Sequence, residues 1–134
     1  MNQEKDFRQT VLVIDDEPDL TRLLCTRLES LGYKTLAANS GEEGLAAAEK
    51  NRPDLILLDL LMPKMKGMEV CDRLKADPRT AQIPVIFLTA MEMPEQIKGG
   101  LDSGAEDYLI KPVDVEQLKD RIRACLLRHI KLDR

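Results

Sequence analysis

Short apolar runs alternate along this chain with stretches whose apolar residues recur every three or four positions. Residues 11–14 form an uninterrupted apolar run, rich in β-branched side chains and closed by Asp15, which predicts a strand. Leu20, Leu23, Leu24, Leu28 and Leu31 then follow at helical spacing, and Gly32 ends them. Residues 33–38 predict a second strand. Ser40 and Glu43 make a capping box ahead of a helix through Ala46 to Lys50. Residues 55–58 predict a third strand, apolar at every position, as fits a strand covered on both faces. Residues 67–76 predict a helix stopped by Asp77 and Pro78, and residues 84–88 a fourth strand. A fourth helix is expected to start near Pro94 and end by Gly104. Residues 108–110 predict a fifth strand, and Asp114 with Gln117 can cap a last helix that runs past Leu126.

Strands and helices in strict alternation imply an α/β fold, a parallel sheet with helices on both faces. Right-handed crossovers leave few topologies. The series is short and has no second half, so the expected architecture is a single doubly wound (βα)5 three-layer sandwich with the flavodoxin-like strand order 2-1-3-4-5. Its expected span is residues 10–128. Residues 1–9 read as a polar tail, and residues 129–134 as a tail or the start of a linker helix.

In such sheets ligands sit beyond the carboxyl ends of the strands. The first strand ends in Asp15-Asp16, the third in Asp59, the fourth in Thr89-Ala90 and the fifth in Lys111-Pro112. The second ends in Asn39-Ser40, read as only a helix cap. Taken singly, Asp15 and Asp16 could be solvated turn residues, Thr89 a strand residue and Lys111 a solvated strand end. Asp59 is harder to dismiss, because a carboxylate inside the apolar run 55–62 is costly unless something compensates it.

Three carboxylates within about 4–5 Å repel by several kcal/mol per pair at an effective dielectric near 20. Their pKa values then rise, or a cation sits among them. A few carboxylates with room for water suit Mg²⁺ better than zinc or calcium. Mg²⁺ held by Asp15, Asp16 and Asp59 could also grip a phosphoryl oxygen, with Lys111 adding positive charge and Thr89 a hydroxyl donor. Phosphoryl transfer needs positioning and charge neutralisation, and this set offers both. Asp59 would be the carboxylate nucleophile. Ala90 is small and leaves room for the incoming group.

Composition narrows the setting. The chain has 134 residues, the size of one domain, and is 43% apolar with only 3% aromatic residues, so its core must be aliphatic. A net charge of −4 with mixed signs argues against nucleic acid as the partner of this domain. No apolar run approaches the roughly 20 residues that cross a bilayer. Residues 1–10 are polar and do not read as a secretory signal. Cys25, Cys71 and Cys125 are far apart and odd in number. They are expected to be buried free thiols in a reducing, cytoplasmic compartment. With His129 as the only histidine, a multi-histidine metal site is ruled out.

The motifs resemble those of response-regulator receiver domains of two-component signalling, the CheY-like family. They are Val11-Leu-Val-Ile-Asp-Asp-Glu17, Asp59-Leu-Leu-Met-Pro63 followed by Gly67, Leu88-Thr-Ala90 and Asp107-Tyr-Leu-Ile-Lys-Pro112, in the family's order and across nearly the whole chain. The resemblance implies a Mg²⁺-dependent signalling switch rather than a turnover enzyme. Asp59 would be phosphorylated by a phosphohistidine on a sensor histidine kinase or phosphotransfer protein. Asp15, Asp16, Asp59 and the backbone carbonyl of Leu61 would hold the metal, and Thr89 and Lys111 the phosphoryl group. Lys111-Pro112 would be a cis peptide, and Tyr108 the aromatic switch residue coupled to Thr89. Lys66 departs from an Asp common in the family at that position, outside the metal set. Leu61 and Met91 stand two residues after Asp59 and Thr89, where the family's residues flank the path of water to the phosphoryl group. Two apolar chains there predict slow self-dephosphorylation.

The bistable element expected of such a switch is the fourth helix with the fifth strand and last helix, whose shared surface would be open to an output domain or a homodimer. Gly99 and Gly100 inside the fourth helix either soften it for switching or merely weaken it. Leu118, Ile122, Cys125, His129 and Leu132 form the core stripe of the last helix or the start of a linker helix or dimer seam. Lys119, Arg121, Arg123, Arg128 and Lys131 are expected to be a solvated face. Three rival readings remain. A haloacid-dehalogenase-like hydrolase needs Asp-x-Asp after the first strand, and here the pair is adjacent. A nucleotide or flavin binder needs a phosphate loop that residues 15–18 do not supply. A docking module that accepts no phosphate would leave the filled acceptor site unused.

Overall fold

The computed structural model describes residues 7–90 and 104–130. The expected fourth helix with Gly99 and Gly100, and also Met91, Lys131 and Leu132, lie outside them. The described elements are β1 (Thr10–Ile14), α1 (Pro18–Ser30), β2 (Lys34–Ala38), α2 (Gly41–Asn51), β3 (Leu55–Asp59), α3 (Gly67–Ala76), β4 (Val85–Thr89), β5 (Asp107–Ile110) and a C-terminal helix (Val115–Ile130). All strand pairs are parallel and the sheet order is β2-β1-β3-β4-β5.

Strand alternation sorts the apolar residues into two cores. Leu12, Ile14, Ile56, Leu58, Val85 and Phe87 face Val70, Cys71 and Leu74 of α3 and Ala48 of α2. Val11, Val13, Leu57, Leu88 and Leu109 face Leu24 and Leu28 of α1 and Leu118, Ile122 and Cys125 of the C-terminal helix. β3 and β4, apolar up to their last residues Asp59 and Thr89, are buried at every position because both of their faces are covered.

Local chemistry sets the ends. Ser40 Oγ accepts from the Glu43 amide at 3.1 Å, and Glu43 Oε1 accepts from the Asn39 amide at 2.9 Å. Asp114 Oδ2 accepts from the Gln117 amide at 3.1 Å. The second strand starts one residue later than its pattern suggested, because the Tyr33 amide closes α1 by bonding Leu28 O at 3.1 Å. There Gly32 adopts φ +101°, the left-handed region glycine tolerates. The third and fourth strands run one residue further than expected: Asp59 pairs in register with Leu88, and Thr89 with Ile110. The C-terminal helix runs through Ile130. All three cysteines are free thiols; Cys71 and Cys125 are buried and Cys25 is half-buried. No described helix is long and apolar enough to cross a membrane.

Candidate functional site

Asp15 follows β1, Asp59 ends β3 and Lys111 follows β5, so three strands deliver them to one edge of the sheet. In the alternation they fall in step with Val13, Leu57 and Leu109, on the face covered by α1 and the C-terminal helix. That placement buries the carboxylates: Asp15 is 0% and Asp59 3% exposed. Buried charges need partners. Lys111 Nζ donates to Asp15 Oδ2 at 2.8 Å and lies 3.4 Å from Asp59 Oδ1. The Leu61 amide donates to Asp59 Oδ1 at 3.3 Å, and the Glu17 amide to Asp15 Oδ1 at 3.0 Å.

The charges act on one another. Burial, then the neighbouring Asp15, pushes the Asp59 carboxyl up from 3.8 to about 6, against the pull of Lys111 and the Leu61 amide. Burial works to lower the Lys111 ammonium, but Asp15 and Asp59 overcome it and hold it above its usual value.

Asp16 is half-buried beside Asp15. One carboxylate oxygen each from Asp15, Asp16 and Glu17 lie within 4.8 Å of one another. Asp59 is tied to this acidic set through Lys111. An all-oxygen donor set of this kind fits a hard divalent cation such as Mg²⁺. Glu17 was passed over in the sequence, where it read only as part of a motif. A cleft beside Asp16 opens between Asn39 and Gly41 on one side and Met62, Pro63 and Met65 on the other.

Thr89 is 1% exposed, and its carbonyl accepts from the Lys111 amide at 2.7 Å, which fixes where the Lys111 side chain begins. The Lys111-Pro112 peptide bond is cis. Register pairs Tyr108 with Phe87, so Tyr108 lies on the same sheet face as Thr89, one strand away. The Leu61 side chain is exposed at the site. Asn39 does more than begin a cap: its Nδ2 donates to Asp15 O at 2.9 Å and to Thr21 Oγ1 at 3.2 Å, bracing the turn after β1. The spacing of Asn39 to Asp15 carries no periodic signal. Only its position at the end of the strand beside β1 could have suggested the contact.

Comparison with known proteins places this geometry. The family "Response regulator receiver domain" matches residues 11–123. The chain is 48% identical over 118 residues to the DNA-binding dual master transcriptional regulator RpaA of Synechocystis sp., covering 88% of this chain and 49% of that protein. It is 41% identical over 123 residues to the DNA-binding response regulator MtrA of Mycolicibacterium smegmatis, covering 92% and 53%. The chain thus spans about half the length of these curated relatives. Among solved structures, chemotaxis protein CheY4 of Vibrio cholerae superposes with a TM-score of 0.84 at 30% identity, covering 88% of this chain and 98% of that one. A response regulator from Chloroflexus aurantiacus gives 0.85 at 34%, covering 90% and 98%. The chain belongs to the response regulator receiver domains, the signalling switches of two-component systems.

Proposed function

We propose that Asp59 is the phosphoacceptor of this receiver and that Lys111 and Thr89 hold the incoming phosphoryl group. The observation that carries this reading is Lys111 Nζ, within reach of both Asp15 and Asp59 across three strands. The donor is a phosphohistidine on a sensor histidine kinase or phosphotransfer protein in the cytoplasm. Among the described residues, contacts to Asp59 fall on Oδ1, which leaves Oδ2 as the attacking oxygen. The P–N bond to the donor imidazole breaks as the bond to Oδ2 forms, and the imidazole leaves neutral after taking up a proton. Near neutral pH the Asp59 carboxyl, at about 6, is mostly ionised and can attack. Lys111 then shifts from carboxylate to phosphoryl oxygens, and the Thr89 hydroxyl donates to another.

Asp15, Asp16, Asp59 and the Leu61 carbonyl would hold Mg²⁺, with Glu17 within reach of Asp15 and Asp16, and the bound ion would neutralise charge on the phosphoryl oxygens. Tyr108 would report the Thr89 rearrangement to the surface of β5 and the C-terminal helix, where an output domain or a second copy binds. Incubation with acetyl phosphate and Mg²⁺ tests the reading. The wild type should gain one phosphoryl group, and Asp59→Asn none. Equal labelling of both would overturn it, and continuous release of phosphate would mark a phosphatase.

A further inference from the structure

At the other end of β5 from Lys111, a second set of metal-ligating groups converges. Glu106 precedes the strand, while Cys125 and His129 stand one turn apart on the C-terminal helix and share a face. Cys125 Sγ donates to Glu106 Oε2 at 3.0 Å, and His129 Nε2 meets Glu106 Oε1. One ligand atom from each of the three lies within 4.8 Å of the other two. None of them serves the Asp59 site. We propose that Glu106, Cys125 and His129 form a binding site for a borderline-soft divalent cation of the Zn²⁺ class, which staples the last turn of the C-terminal helix to the start of β5.

The donor chemistry selects the ion. Thiolate, imidazole and carboxylate are the ligands zinc takes in three-ligand sites, whereas Mg²⁺ has no use for sulfur. Cys125 is fully buried and Glu106 and His129 are half-buried, so the set is enclosed on the protein side and reaches solvent on the other, where water completes the coordination. Without a metal, burial and then Glu106 push the Cys125 thiol up to about 12, so it keeps its proton and donates it to Glu106. Binding replaces that S–H bond with a sulfur–metal bond and releases the proton to solvent. Two cations limit the affinity. Arg128 Nη2 lies 3.3 Å from Glu106 Oε2, but its side chain is 55% exposed and can swing into water. The Lys75 ammonium is fixed by the carbonyls of Ala81 and Ile83 at 3.1 and 2.7 Å.

Co²⁺ serves as the optical probe on the reduced full chain, and Zn²⁺ competes with a chromogenic chelator. One equivalent of Co²⁺ should produce thiolate-to-metal charge-transfer absorption that Zn²⁺ displaces. Cys125→Ser should abolish the band, and His129→Gln, a half-buried position on the last turn, should weaken Zn²⁺ binding about tenfold or more. Asp16→Asn, which alters the acidic set, and Cys25→Ser should leave the band intact. Zn²⁺ should raise the Tm of the wild type by more than that of His129→Gln. Absence of the band in the wild type, its survival in Cys125→Ser, or unchanged Zn²⁺ affinity in His129→Gln would each overturn the proposal.

Discussion

Gly67 packs directly on the backbone of Asp59. A Cβ at residue 67 would stand 2.3 Å from the Asp59 carbonyl oxygen and 2.8 Å from Leu60 Cα, while the Gly67 amide donates to Leu60 O at 3.0 Å. The first residue of α3 therefore fixes the segment that carries the acceptor. Since the obstacle is backbone rather than a flexible side chain, Gly67→Ala must push β3 and α3 apart. Urea unfolding should show a loss of about 1–3 kcal/mol, the usual cost of overpacking. The yield of phosphorylation from acetyl phosphate should fall with it, whereas Lys66→Ala at the exposed neighbour should change neither.

Asp59 also makes the metal-free protein pH-sensitive. Its folded pKa of about 6 lies above the 3.8 of a free carboxyl. Between those values the folded chain holds a proton that the unfolded chain has lost, so this group's contribution to stability falls as pH rises through the window. Asp59→Asn should thus be more stable than the wild type at pH 7 by about 3 kcal/mol in EDTA, and the gap should close below about pH 4. Denaturant melts of both proteins across this range check it. A less stable Asp59→Asn at pH 7 would contradict the burial of an under-compensated carboxylate.

Leu61 presents its side chain to solvent at the acceptor while its amide holds Asp59 Oδ1. An apolar chain there hinders a hydrolytic water, so the phosphorylated protein should outlast seconds without a phosphatase. Leu61→Asn, at an exposed position with little bearing on folding, should shorten that lifetime several-fold. Phosphate release after removal of the donor measures both.

Asn39 ties the end of β2 to the Asp15 carbonyl and to Thr21. Asn39→Ala should cost about 1–2 kcal/mol in stability, the net value of the lost hydrogen bonds. It should also weaken the Mg²⁺-dependent rise in Tm, because the turn that carries Asp15 and Asp16 loses its brace. An unchanged Mg²⁺ response would separate Asn39 from the metal set.

Much of this was legible in the residues. The apolar runs 11–14 and 55–58 exposed their strands because burial on both faces demands continuous apolarity. The cost of a carboxylate within residues 55–62 singled out Asp59. Alternation and the handedness of crossovers left few strand orders, and the short series made the flavodoxin-like one the natural choice among them. Other features were hidden because they depend on chain crossings. That Asn39 would brace Asp15, that Gly67 would lie under Asp59, and that Glu106 would meet Cys125 and His129 are contacts between distant segments with no periodic signature. The extension of β3 and β4 to Asp59 and Thr89 was set by ladder pairing with neighbouring strands, which polarity at a strand end conceals.

The most direct measurement locates the phosphoryl group itself. After reaction with acetyl phosphate and Mg²⁺, borohydride reduction converts an aspartyl phosphate to homoserine, and peptide mass analysis reads its position. Conversion at residue 59 alone is the expected result. Conversion at Asp15 or Asp16, or none anywhere on a phosphorylated chain, would contradict the assignment of Asp59 as the acceptor.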